Sequence, residues 1–120
     1  MGLDTYASRS PDDIELKPED IQAFDDAEIY LCGGIFSGEG GSFRGKVYSI
    51  LIHEITGESL LQEWIPPETV REMYTALAEC DPQQAIDESD SWNRIPEEIV
   101  DLRKFFKVCA ERGLGLINWW

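Results

Sequence analysis

The stretch PEEIVDLRKFFKVCAERGLGLINWW, residues 96–120, carries the clearest folding pattern in the chain. Its apolar residues first recur every three to four positions, as on one face of an α-helix. Acidic residues stand early in this pattern and basic residues late, which complements the helix dipole. Gly113 then favours a helix end, and the residues after it are apolar on both faces of a strand. The stretch therefore predicts a helix over 96–112 and a buried strand near 114–119.

Two more helices are predicted upstream from the same periodicity. Apolar residues at helical spacing predict a helix over 43–56, with Ser42 as its N-cap and Gly57 at its C-terminal end. A pair of prolines followed by an acid then opens a helix over 67–80, since Pro67 suits the first helical position. These two helices and the one over 96–112 are the three main helices that we expect.

The other parts of the chain predict shorter elements. Short apolar runs predict strands near 3–7 and 28–32. Residues 18–24 favour one or two helical turns, and the polar residues 81–94 favour a surface loop with one turn at most. Neither an internal repeat nor a long linker divides the sequence. We therefore expect a single domain over 1–120 of the α+β class, helix-dominated, with three main helices packed on a small sheet.

The charge of the chain is strongly negative and unevenly distributed. It holds 24 acidic and 10 basic residues, for a formal net charge of −14. Residues 1–28 carry −7 and residues 58–101 carry −10, whereas 29–57 are neutral and 102–120 carry +3. Such a field repels phosphate backbones, so direct nucleic-acid binding is not expected. It suits solubility and a basic protein partner.

Membrane, metal and cofactor functions are also not expected. No apolar run approaches the ~20 residues of a membrane span, and the N-terminus lacks the pattern of a signal peptide. This predicts a soluble, cytoplasmic protein. Cys32, Cys80 and Cys109 are odd in number and widely spaced, which favours buried free thiols over a disulfide framework or a zinc site. We predict neither a metal nor a cofactor.

The segment GGSFRGKV, residues 40–47, resembles a phosphate loop up to its last position. The pattern there needs Ser or Thr to hold magnesium, and this chain has Val47. Nucleotide hydrolysis is therefore not expected, but glycines and basic residues at a helix N-terminus can still bind an anion. The residues of this predicted anion site are Gly41, Ser42, Arg44 and Lys46. The alternative is that both bases pair with carboxylates of the same chain.

The C-terminal strand also predicts an interface. Ile117, Trp119 and Trp120 belong to a segment that is apolar on both faces, and aromatic residues at a terminus often anchor a partner. The alternative is that they pack in the core of the single chain. His53 is the only histidine, and its sequence context favours a partly exposed structural residue. No catalytic residue is predicted, and the sequence favours a non-enzymatic protein.

Four segments of the sequence are similar to those of a known group of proteins. They are MGLD at residues 1–4, FRGKVY at 43–48, WIPPE at 64–68 and GLGL at 113–116. With these segments the chain resembles a group of short prokaryotic and phage-borne proteins that has no assigned activity. The resemblance implies a bacterial or archaeal cytoplasmic setting and no particular mechanism.

Three hypotheses for function follow. The first is a non-enzymatic, acidic protein-interaction module that binds a protein partner or forms a homodimer. The second is an acidic mimic of nucleic acid that inhibits a basic protein, suggested by the charge of residues 58–101. The third is a binder of small anions or phosphate ligands that uses the glycine-rich loop.

Overall fold

The computed structural model describes residues 4–12, 16–27, 42–43, 45–88 and 96–119. Five helices lie within these ranges: α1 (Pro18–Asp26), α2 (Gly45–Thr56), α3 (Pro67–Glu79), α4 (Pro82–Glu88) and α5 (Pro96–Arg112). Four strands accompany them: β1 (Asp4–Ser8), β2 (Ser42–Phe43), β3 (Trp64–Ile65) and β4 (Gly115–Trp119). The predicted helix-dominated α+β class is confirmed. The strand predicted near 28–32 lies outside the described residues.

The four strands form one antiparallel sheet in the order β2-β1-β4-β3. Strands β1 and β4 pair along their full length, from Asp4 opposite Trp119 to Ser8 opposite Gly115. The strands near the two ends of the sequence therefore form the centre of the sheet. Both edge strands are two residues long, and short edges limit unwanted pairing with other chains.

One face of the sheet carries the hydrophobic core. Ala7 of β1 and Leu116 of β4 point to this face and are fully buried. The apolar sides of the helices close over them, and α3 against α5 is the most extensive contact between helices. Aromatic rings fill the centre: the ring centroid of Phe105 lies 4.9 Å from that of Phe24 and 4.8 Å from that of Phe43. This cluster joins α1, β2 and α5.

The predicted start of the second helix is wrong by two residues. Helix α2 begins at Gly45, so Ser42 is not its N-cap. Ser42 and Phe43 instead form β2, opposite Tyr6 and Thr5 of β1. Phe43 is apolar and fits the helical spacing, but its buried ring packs against Phe105 from an extended backbone. The spacing of apolar residues alone does not show whether Phe43 is the first residue of a helix or part of a strand.

The other helix boundaries agree more closely with the sequence. Helices α3 and α5 match their predicted ranges to within one residue. Gly57 and Gly113 follow α2 and α5 with φ of +77° and +68°, the left-handed conformation typical of helix ends. Helix α4 occupies residues 82–88 of the predicted surface loop, and 89–94 lie outside the described residues. Asp81 caps α4 by accepting a hydrogen bond from the Gln84 backbone N–H at 3.1 Å.

Gly115 of β4 lies directly beneath the indole of Trp64, a residue of the neighbouring strand β3. A Cβ atom at this position would lie 2.5 Å from Trp64 Cη2 and 2.5 Å from the Ile65 carbonyl oxygen. Because the second contact is with backbone, a rotamer change cannot relieve it. Gly115→Ala is therefore expected to lower the free energy of unfolding by about 2–3 kcal/mol, measured by urea denaturation.

Gly57→Ala is the matched control for this substitution. A Cβ at Gly57 meets nothing within 4 Å, so its cost arises from the positive φ, about 1 kcal/mol. An alanine at position 115 that is no more destabilising than one at position 57 would contradict the close approach of β3 to Gly115.

Candidate functional site

The residues of the predicted anion site are only partly within the described chain. Ser42 lies in β2 at the edge of the sheet, and Lys46 is the second residue of α2. Gly41 and Arg44 lie outside the described residues. The anion site therefore stays a prediction.

Two of the three predicted interface residues, Ile117 and Trp119, belong to the central strand β4. Ile117 pairs with Tyr6 of β1 and with Trp64 of β3, and its side chain is 4% exposed. It is thus covered within the single chain. The backbone of Trp119 pairs with Asp4, and Trp120 lies outside the described residues. An interface at the two terminal tryptophans stays a prediction.

A groove of about 570 Å³ opens where α2, α3 and α4 meet. We call it the acidic groove. Its apolar floor consists of Ile55, Cys80 and Ala85, which are partly buried and pack against the hydrophobic core. Its polar rim consists of Glu54, Glu79, Asp81 and Gln84, all exposed. Among the described lining residues three carry a carboxylate and none is Lys or Arg, although the guanidinium of Arg103 contacts Cys80 from the α5 side.

Helix ends of both signs meet at the acidic groove. Helix α2 ends at Thr56 and α3 at Glu79 with partial negative charges, whereas α4 begins at Pro82 with a partial positive charge, and Arg103 offsets the charge at the end of α3. On the α5 side, Arg103 donates hydrogen bonds to the carbonyl oxygens of Leu77 (2.5 Å) and Cys80. This guanidinium caps the end of α3 and fixes the wall of the groove. What the arrangement can do is attract and hold a cation with an apolar portion.

A second groove, of about 580 Å³, runs between α1 and α5 and has mixed charges. Two of its lysines are paired along α5: Lys104 Nζ lies 3.7 Å from Asp101, and Lys107 Nζ lies 3.8 Å from Glu111. The basic character that the sequence shows over 102–120 is thus partly neutralised within the helix. This groove has no dominant sign of charge with which to select a ligand.

A buried carboxylate, Asp20, joins three parts of the fold at the end of the second groove. Arg9 donates to it through Nε and Nη2, both at 2.8 Å, and Arg112 donates through Nε at 2.5 Å. The backbone N–H of Lys17 donates at 2.9 Å, as expected for an acid at the third position of a helix. We call this arrangement the Asp20 clamp, since it ties β1, α1 and α5 together.

The protonation state of Asp20 follows from these contacts. Hydrogen bonds from Arg9 lower the pKa of the carboxyl far below its usual range, and Arg112 and Lys17 add to the effect. Burial acts in the opposite direction and does not prevail. The carboxylate is therefore ionised at neutral pH with its oxygens bound, which suits a structural role and not acid–base catalysis.

The sequence predicts buried thiols, and of the two described cysteines Cys109 is buried whereas Cys80 is only partly buried. Cys80 and Cys109 are free thiols, and Cys32 lies outside the described residues. Burial raises the pKa of the Cys109 thiol, which keeps it protonated and unreactive. Cys80 Sγ lies in the acidic groove and donates to the Leu77 carbonyl oxygen at 3.2 Å.

In the described ranges, no group of three or more His, Cys, Asp or Glu side chains has a geometry that could hold a metal ion. None of the helices in those ranges has both the length and the apolar character that are needed to cross a bilayer. No family model matches the chain, and neither a curated protein nor a solved structure does so.

Proposed function

We propose that the chain is a cytoplasmic protein-interaction module that binds a basic protein partner. The observation that carries the proposal is a difference between bases and acids on the described surface: most of the bases are engaged within the chain, whereas many acids face solvent. Five described bases are engaged within the chain: Arg9 and Arg112 bind Asp20, Arg103 caps α3, and both lysines of α5 are paired. Lys17 and Arg71 are exposed, but exposed acids outnumber them along α3, α4 and the segments beside them: Glu63, Glu68, Glu72, Glu79, Asp81 and Asp87.

This distribution supports binding by electrostatic complementarity. Exposed charges of one sign steer an oppositely charged partner and raise the rate of association. They also make the affinity depend on salt, because the Debye length falls from about 10 Å at 0.1 M to about 3 Å at 1 M. A basic protein is the class of partner that gains most from this surface.

The proposal is tested by capture followed by measurement with purified components. The tagged chain is used to capture partners from cells of its source, and the main partner is then produced separately. We expect a basic protein that forms a saturable complex, with an affinity that falls at least tenfold between about 50 and 300 mM salt. A complex that is insensitive to salt, or a partner that is itself acidic, would contradict the proposal.

The same experiment separates the related hypotheses. If the partner is a nucleic-acid-binding protein and loses its nucleic acid when the chain binds, the chain acts as a mimic. Self-association through the edges of β4 is not favoured, because β1 and β3 already pair with both of them. Light scattering of the purified chain should then report the mass of a single chain.

A further inference from the structure

We propose that the acidic groove is the point at which a lysine or arginine side chain of the basic partner inserts. This inference rests on the proposed function and adds to it the place and the chemistry of recognition. The occupant is a basic segment of a protein, with the aliphatic part of one side chain on the floor and its charged group at the rim.

The floor of the acidic groove fits the aliphatic part of such a side chain. Ile55, Cys80 and Ala85 are apolar residues at the margin of the core, and water still reaches them from the groove. The methylene groups of lysine and arginine commonly cover apolar surface while the charged group stays in water. The volume of about 570 Å³ lies within the ~300–1,000 Å³ that is typical of ligand sites.

The carboxylates of the rim fit the charged group of a lysine or arginine side chain and disfavour anionic ligands. Glu54 comes from α2, whereas Glu79 and Asp81 come from the junction of α3 and α4, so carboxylates of two separate segments line one opening. Asp81 is held in place because it caps α4. An anionic side chain would meet three like charges at the rim, which selects against it.

The mixed groove between α1 and α5 lacks this selectivity. It combines Lys104, Lys107 and Arg112 with Asp26 and Glu111, so either sign of ligand meets a like charge there. The acidic groove is therefore the better site for a basic segment, because an apolar floor and a rim with three carboxylates occur together in it.

Hexalysine is the probe for the test, and the binding is followed by the backbone amide shifts of the intact, ¹⁵N-labelled chain. The groove variant is Glu54→Gln with Glu79→Gln, which removes two rim carboxylates and retains Asp81 as a helix cap. The control variant is Glu68→Gln with Glu72→Gln. Its two acids are exposed on α3 and lie outside the groove lining. Both variants replace two carboxylates by amides and therefore lose the same amount of negative charge.

We expect the largest shifts in wild type at the ends of α2 and α3 and the start of α4. The groove variant should bind hexalysine about tenfold more weakly, and the control about twofold more weakly through the general field. Hexamers of 2,4-diaminobutyric acid have shorter side chains and the same charge when fully protonated. They should also bind more weakly than hexalysine, because less apolar surface reaches the floor.

The outcomes separate this inference from the proposed function. If hexalysine binds equally weakly to both variants, or if the amide shifts map to another face, the acidic groove is not the binding site. The proposal of a basic partner would be unaffected by that result. No saturable binding to wild type in low salt would overturn both. Thermal unfolding of each variant, compared with wild type, shows that a loss of binding is not a loss of fold.

Discussion

Replacing Phe105 with alanine is expected to lower the free energy of unfolding by about 3–5 kcal/mol, the largest effect of any single truncation that we predict. Phe105 is 1% exposed, and its ring contacts those of Phe24, Phe43 and Phe106, with centroids 4.9, 4.8 and 6.0 Å away. Phe24 of α1 and Phe43 of β2 are distant from it in sequence, and Phe106 is its neighbour on α5. Removing the ring therefore leaves a cavity that no single element can move to fill.

The effect is measured by urea denaturation followed by circular dichroism. Phe105→Leu retains most of the apolar volume and should cost about 1–2 kcal/mol. Val100→Ala is the surface control on the same helix, since Val100 is 40% exposed and should change stability by less than about 1 kcal/mol. An alanine variant whose stability lies within 1 kcal/mol of wild type would mean that Phe105 is not the centre of the core.

Local sequence patterns predict the parts of this fold that depend on local interactions. Helices α3 and α5 repeat apolar residues at helical spacing and have clear boundary residues, and both appear within one residue of the prediction. The boundary at Phe43 was predicted wrongly because pairing with β1, a contact between distant segments, determines it. Helix α4 is short and polar, so its sequence resembles a loop except for the cap at Asp81.

The candidate site is harder to predict for the same reason. The charge of residues 58–101 indicates an acidic surface, but the acidic groove also requires Glu54 and Ile55 from α2. Only the packing of α2 against α3 and α4 brings these residues together with Glu79 and Asp81. The Asp20 clamp is a similar case, since 92 residues separate Asp20 from Arg112. A sequence pattern shows Asp20 as an acid in the first turn of a helix and shows nothing of its partners.

Asp20→Asn is the second substitution with a large expected effect, a loss of about 3 kcal/mol in the free energy of unfolding at neutral pH. The asparagine retains the shape of the side chain but removes the charge that binds two guanidinium groups. Arg9 and Arg112 are each about a third exposed, so water partly replaces the lost contacts and keeps the cost at the lower end of the range for broken buried pairs. Urea denaturation at pH 7 measures the loss, and Asp25→Asn, an exposed acid on the same helix, should leave stability unchanged.

The dependence of this loss on pH separates the charge of Asp20 from its shape. The arginines lower the pKa of Asp20 in the folded chain, whereas in the unfolded chain it is about 3.9. Above about pH 5 both states are ionised, and the full contribution of the clamp is present. As the pH falls below about 4, the unfolded chain binds a proton that the folded chain does not, so the wild type loses this stability. The asparagine variant has no such group, so the difference between the two proteins should narrow steadily as the pH falls from about 5 to about 2.5. Other carboxylates titrate in both proteins and cancel in the comparison. A difference that stays constant over this range would show that Asp20 stabilises the fold by its shape and hydrogen bonds, and not by its charge.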